Sequence, residues 1–291
     1  MSKPESIWME RIRAIMPELT IKEIEINQDG AINDILIVNH NLVFRFTKAE
    51  KYFALLDSEL GVLDFIRPHL SVQIPEPIHR EPGLWVYPLL EGEPLLFEDI
   101  LDLDAIRQQT LADQIGKFLH ELHSIPTSGL NIRLPVTRAF VKRDEWVGFR
   151  KAFRERVFPL LQQNQIHWIE RLFDRVLQDP EFFNYAPVLI HGDLAPYHLL
   201  YSPMETRLCG VLDFGQAGLG DPASDFGILI SIYGEHFVLK MKNTYPDLEK
   251  QLQRARFYAQ SIELEWTLRG MESGENFWFT AHLGGARDIR Q

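Results

Sequence analysis

The chain has 291 residues, 45% hydrophobic and 24% charged, with no low-complexity tract; this excludes disorder and is enough for two lobes sharing a cleft. A formal charge of −11 argues against a nucleic-acid partner and for a cationic one. The single cysteine, Cys209, excludes an internal disulfide framework or thiolate metal cluster, and the lack of a secretory run or of about 18 consecutive apolar residues gives the expectation of a cytoplasmic protein with no membrane partner.

Residues 4–19 carry Ile7, Trp8, Ile12, Ile15 and Met16 near helical spacing, which predicts a first helix. From residue 20 the pattern alternates through Ile24 and Ile26, Ile35 and Ile37, then Leu42, Phe44 and Phe46, with turns at Asp29-Gly30 and Asn39-His40-Asn41. An antiparallel meander of at least three strands is expected. Its first hairpin has one glycine and reads as an ordinary turn or as a flap over a nucleotide. Arg45 stands between Phe44 and Phe46, and alternation sends it to the face opposite theirs. A helix over 50–69 follows, with Leu55, Leu56, Leu60, Leu63 and Ile66 on its apolar face and Glu59 beside it. A strand resumes at 84–87, and the proline- and glycine-flanked segment 88–94 reads as a linker between lobes.

The second lobe opens with a helix over 103–123, whose Leu111, Ile115, Phe118, Leu119 and Leu122 keep helical spacing; His123 reads as a structural or capping residue. A helical region over 138–177 is rich in aromatics, including Phe140, Trp146, Phe149, Phe153 and Phe173, a pattern that suits a core. Next, the apolar run Val188-Leu189-Ile190 delivers His191, Gly192 and Asp193 into a polar loop that also bears His198. An apolar run over 208–212 ends on Asp213. Two carboxylates at the ends of neighbouring strands suit a divalent cation and a proton acceptor. Asp221-Pro222 marks a helix cap and first position, and helices are expected from there to about residue 285.

Phosphoryl transfer needs a cation on the nucleotide phosphates, magnesium on oxygen-rich ligands and a carboxylate for the attacking hydroxyl. The segments His191-Gly192-Asp193-Leu194-Ala195-Pro196-Tyr197-His198, Leu212-Asp213-Phe214-Gly215 and Gly220-Asp221-Pro222-Ala223-Ser224-Asp225 resemble the aminoglycoside phosphotransferase family, which has the protein-kinase-like fold. The resemblance extends over about residues 20–270. It implies an α+β, bilobal architecture: an N-terminal nucleotide-binding lobe at 1–88 of antiparallel sheet plus helix, a hinge at 89–94, and a larger, mostly helical lobe at 95–291 for catalysis and substrate.

The same resemblance implies that Asp193 is the catalytic base and that Asp213, with His198, holds Mg²⁺. Arg45 would contact the phosphates of ATP or GTP and pair with Glu59, and the base would lie against Tyr87 to Leu90. His191 and Asp225 would brace the loop. His198 departs from the asparagine of most of the family but occurs in the branch resembling 2″-aminoglycoside and macrolide phosphotransferases. That implies an active enzyme, with a nucleotide-binding protein lacking turnover as the rival reading. Glu235 and Glu263 loosely match acidic positions that take substrate amines, which implies an aminoglycoside-like cationic acceptor and a role in antibiotic resistance. Solvated helix carboxylates are the other reading of that pair. Macrolides, choline-like alcohols and sugars stay open as acceptors. A monomer or homodimer is expected.

Overall fold

The computed structural model describes residues 3–28, 30, 32–127 and 142–273. The expected turn residue Asp29, Phe140 with the start of the 138–177 region, and the helix expected beyond 273 lie outside them. Two units emerge, Met1–Asp57 with Pro75–Leu89, and Ser58–Ile74 with Leu90–Gln291.

In the first unit the helix α1 (Lys3–Ile15) precedes strands β1 (Ile24–Asn27), β2 (Asn33–Val38) and β3 (Leu42–Thr47). Helix α2 (Phe53–Ile66) begins here, followed by β4 (His79–Glu81) and β5 (Leu84–Pro88). The strands form one antiparallel sheet in the order β1-β2-β3-β5-β4. Register aligns Leu36, Phe44 and Val86 on one face, and there Trp8 and Ile12 of α1 complete the core. The alternating residues Ile35, Arg45 and Trp85 align on the other face. Between β2 and β3, Asn39 and His40 both take the left-handed region, φ 54° and 49°, as a two-residue hairpin requires. The Asn39 side chain locks the turn by accepting from Lys22 N–H and donating to the Thr20 carbonyl, both at 2.8 Å.

The helix expected over 50–69 is α2 flanked by short 3-10 turns, Glu50–Tyr52 and Arg67–His69, the latter containing Pro68, which supplies no amide donor. Residues Ser58–Ile74 group with the second unit. Local bonds account for this: Val211 N–H donates to the Gln73 carbonyl at 2.9 Å, and Glu121 accepts from Ser71 N–H at 2.8 Å.

The second unit contains β6 (Glu93–Pro94), α3 (Phe97–Asp102), α4 (Ala105–His123), α5 (Arg143–Arg156) and α6 (Gln163–Leu177). Then come β7 (Val188–Ile190), β8 (Leu199–Ser202), β9 (Arg207–Val211), β10 (Gly218–Gly220), α7 (Pro222–Tyr233), α8 (Glu235–Leu239) and α9 (Leu248–Ser273). The 138–177 region resolves into two helices because the turn Phe158–Leu160, with Pro159 at its centre, ends the first. Trp146 anchors the core of α5, α6 and α9, its ring 5.8 Å from Phe149 and 4.8 Å from Phe257. Arg150 and Arg154 of α5 meet Glu170 of α6, and Arg150 also meets Asp174. Short ladders, β6-β8-β9 and β10-β7, fix the two ends of the loop between β7 and β8. The chain is therefore α+β, sheet-rich in the first unit and mostly helical in the second. Among the described residues, no helix is long and apolar enough to cross a membrane.

Candidate active site

The loop from β7 to β8 is held from beneath by Asp225, in the first turn of α7. Its carboxylate accepts from His191 N–H at 2.9 Å and Gly192 N–H at 2.8 Å, and from His123 Nε2 at 3.1 Å. Burial, the largest influence, pushes the Asp225 carboxyl up, but the hydrogen bond and charge of His123 outweigh it with other partners, so the group sits below its ordinary range. His123 Nδ1 meets the Tyr245 hydroxyl at 3.0 Å. The histidine read as structural thus links α4 to the loop through the acid of α7.

His191 is fully buried and faces into the loop. Its Nε2–H donates to the Leu212 carbonyl at 3.0 Å, while Nδ1 accepts from Asp193 N–H at 3.2 Å. Burial lowers its pKa to about 4, against the pull of Asp225, so the ring is neutral at pH 7, as these two bonds require. Gly192 has φ 79°, and a Cβ there would lie 2.8 Å from the Gln216 carbonyl oxygen. Only glycine fits that turn without strain. The arrangement fixes the backbone on both sides of Asp193, whose side chain is half-buried.

Pro196 starts a 3-10 turn that sends His198 inward. Its Nδ1 lies 2.7 Å from the Asp193 carbonyl oxygen, an acceptor only, so Nδ1 carries the proton. Nε2 then faces Asp213 Oδ2 at 3.6 Å. In the neutral ring both atoms are lone-pair donors, an arrangement that suits a cation between them. A metal-ligating histidine commonly anchors its other nitrogen on a carbonyl in this way. The donor set therefore fits a divalent ion, with one imidazole nitrogen where a hard ion would favour oxygen.

Asp213 takes φ 58°, rare for a residue with a side chain, and its Oδ1 accepts from Gly215 N–H at 3.2 Å. A Cβ at Gly215 would come within 3.1 Å of that oxygen and 3.4 Å of Glu59 Oε2. Glu59, from the buried side of α2, thus belongs to the surroundings of Asp213, and the glycine makes room for both carboxylates.

Of the remaining expected residues, Arg45 lies in the first unit with its guanidinium carbon 5.3 Å from the Trp85 ring centroid. With the Asn33 amide oriented oxygen-first, that oxygen accepts from Arg45 Nε and Nη2, both at 2.9 Å. Tyr87 is buried there, 4.9 Å from Trp85 between ring centroids. Leu90, in the second unit, packs over Gly210. Glu235 opens α8 and accepts from Arg256 Nε at 2.8 Å, a bond that lowers its pKa. Glu263 lies on α9, its carbonyl accepting from Thr267.

A further support escaped the sequence reading. Asp221 caps α7 by accepting from Ala223 N–H at 3.0 Å, as expected, but its second oxygen accepts from Arg254 Nε at 2.7 Å and the Tyr258 hydroxyl at 2.9 Å. Both partners come from α9, more than a helix away in sequence, so spacing alone gave no sign of them.

A profile described as the phosphotransferase enzyme family matches residues 23–258. Viomycin phosphotransferase of Streptomyces vinaceus is 23% identical over 239 residues, covering 77% of this chain and 78% of that protein. The uncharacterized protein YcbJ of Bacillus subtilis is 27% identical over 199 residues; the match covers 63% of this chain and spans 60% of that relative's length. The solved GDP and kanamycin complex of APH(2")-IIia aligns with a TM-score of 0.85 at 25% identity, covering 96% of each chain.

Proposed function

Because the chain belongs to the phosphotransferase enzyme family, we propose that it moves the γ-phosphate of ATP or GTP to a hydroxyl of a cationic, aminoglycoside-like small molecule, with Asp193 as the proton acceptor. The observation that carries this is the loop geometry: Asp225 and neutral His191 hold the backbone around Asp193, while His198 and Asp213 present their donors to one point. The acceptor class draws support from the kanamycin held by the structural neighbour, from the viomycin phosphotransferase relative and from the chain's acidic balance.

In the proposed step the acceptor oxygen attacks the γ-phosphorus as its proton passes to an Asp193 carboxylate oxygen. The bond from γ-phosphorus to the bridging oxygen breaks, and the nucleoside diphosphate leaves with that electron pair. Asp213 and His198 would hold Mg²⁺, which would supply neutralisation of the phosphate charge. Arg45 takes the phosphates with a planar fork, and Glu59 orders the surroundings of Asp213. Tyr87 and Leu90 lie against the nucleotide base. Glu235 and Glu263 meet acceptor amines, Glu235 sharing its charge with Arg256.

Acceptor-dependent release of diphosphate, measured with ATP and GTP against kanamycin, viomycin, a macrolide and choline, tests the proposal. Turnover is expected with at least one cationic acceptor of the panel. A chain that binds nucleotide but shows no acceptor-dependent release would support the rival reading of a nucleotide-binding protein without turnover.

A further inference from the structure

In the loop that carries Asp193, His191, Leu194, Ala195 and His198 are buried. Tyr197 breaks the pattern with 59% of its surface exposed. The reason is local, since the 3-10 turn at Pro196 points His198 inward and leaves its neighbour facing out. The Tyr197 ring stands edge-on to His198, with centroids 4.6 Å apart and planes at 86°. Its hydroxyl makes no hydrogen bond among the described residues.

The chain beside it adds apolar surface. Leu95 N–H donates to the Leu199 carbonyl at 2.9 Å, which continues the β6-β8 pairing, and the next residues, Leu96 and Phe97, are 47% and 43% exposed. A single exposed aromatic is ordinary on a protein surface. This one stands four residues from the proposed proton acceptor and edge-on to His198, a proposed metal donor.

We propose that Tyr197 is an acceptor-positioning residue, whose ring packs against a cationic, polyhydroxylated ring while Asp193 meets the hydroxyl to be phosphorylated. Aromatic faces attract cations and cover the apolar faces of sugar rings, so the contact favours the acceptor class that the negative site also favours. This rests on the functional reading above and assigns its acceptor contact to one side chain.

The test uses the full chain loaded with GDP and compares the parent with Tyr197→Phe and Tyr197→Ala. Kanamycin binding is read by calorimetry, and KM and kcat for each substrate by diphosphate release. Tyr197→Ala is expected to weaken kanamycin binding and raise its KM about tenfold, with a smaller change in kcat, whereas Tyr197→Phe stays within about twofold. Equal kanamycin affinity in Tyr197→Ala and the parent overturns the inference, as does a Tyr197→Phe loss equal to that of alanine or a loss that falls on GDP. A parent that binds GDP, yet neither binds nor turns over any acceptor of the panel, sinks the functional reading and this inference with it. A parent that does both, matched by Tyr197→Ala, sinks only the inference.

Discussion

Gly192 and His191 set the stance of Asp193 by opposite means, one by having no side chain and the other by burying its own. Gly192→Ala places a side chain on a left-handed backbone, which costs about 1–2 kcal/mol, and the approach to the Gln216 carbonyl adds to that. A loss of unfolding free energy of this size or more, read from urea titration, is expected. His191 carries a pH signature. Its folded pKa of about 4 lies below its ordinary 6.5, so between these values the unfolded chain takes up a proton that the folded chain refuses. Stability is therefore unaffected above about pH 6.5 and falls as pH drops through that window, by about 3 kcal/mol at most. Asp225 is lowered in the folded state, so its contribution is present above its ordinary 3.8 and is lost as pH falls below it. Denaturant titrations across pH 4–7 should show the first loss in the parent and a flatter profile in His191→Asn.

Among the elements, α7 carries the loop and is itself fixed by α9. Removing the fully buried Asp221 carboxylate takes away the ionic partner of Arg254 and the acceptor of the Tyr258 hydroxyl, so Asp221→Ala is expected to cost about 3–5 kcal/mol in a thermal or urea melt. The cap at Asp221 was legible in the sequence from Asp-Pro chemistry, and so was α4 from five apolar residues at helical spacing. The meander was legible because alternation over β2 and β3 is strong, and the same alternation placed Arg45 opposite Phe44 and Phe46. Other parts were hidden for physical reasons. β6 and β10 have two and three residues, too few for a period, and α5 and α6 read as one helical region because the aromatic pattern continues across Pro159. His123 and Asp225 are 102 positions apart, and their contact is a product of packing that no local pattern records. Asp193, His198 and Asp213 stood out as candidates because they lie within one short stretch.

At the scale of the whole molecule, a charge of −11 should draw a polycationic acceptor from a distance. The acceptor KM is expected to rise between low and moderate salt, while an uncharged acceptor should show little change; equal salt dependence for both would show that charge does not draw the acceptor. Glu235 separates stability from binding. Its pair with Arg256 is largely solvated, so Glu235→Ala should alter melting by less than about 1 kcal/mol, and a raised acceptor KM beside that small change would mark it as an amine contact. Asp193 is the carboxylate around which the loop is built. Steady-state transfer by Asp193→Ala, with nucleotide affinity measured on the same preparation, tests its proposed role as proton acceptor most directly. A fall in kcat of about 10²–10⁴-fold with nucleotide binding retained is expected, and transfer at the parent's rate would show that Asp193 is not the proton acceptor.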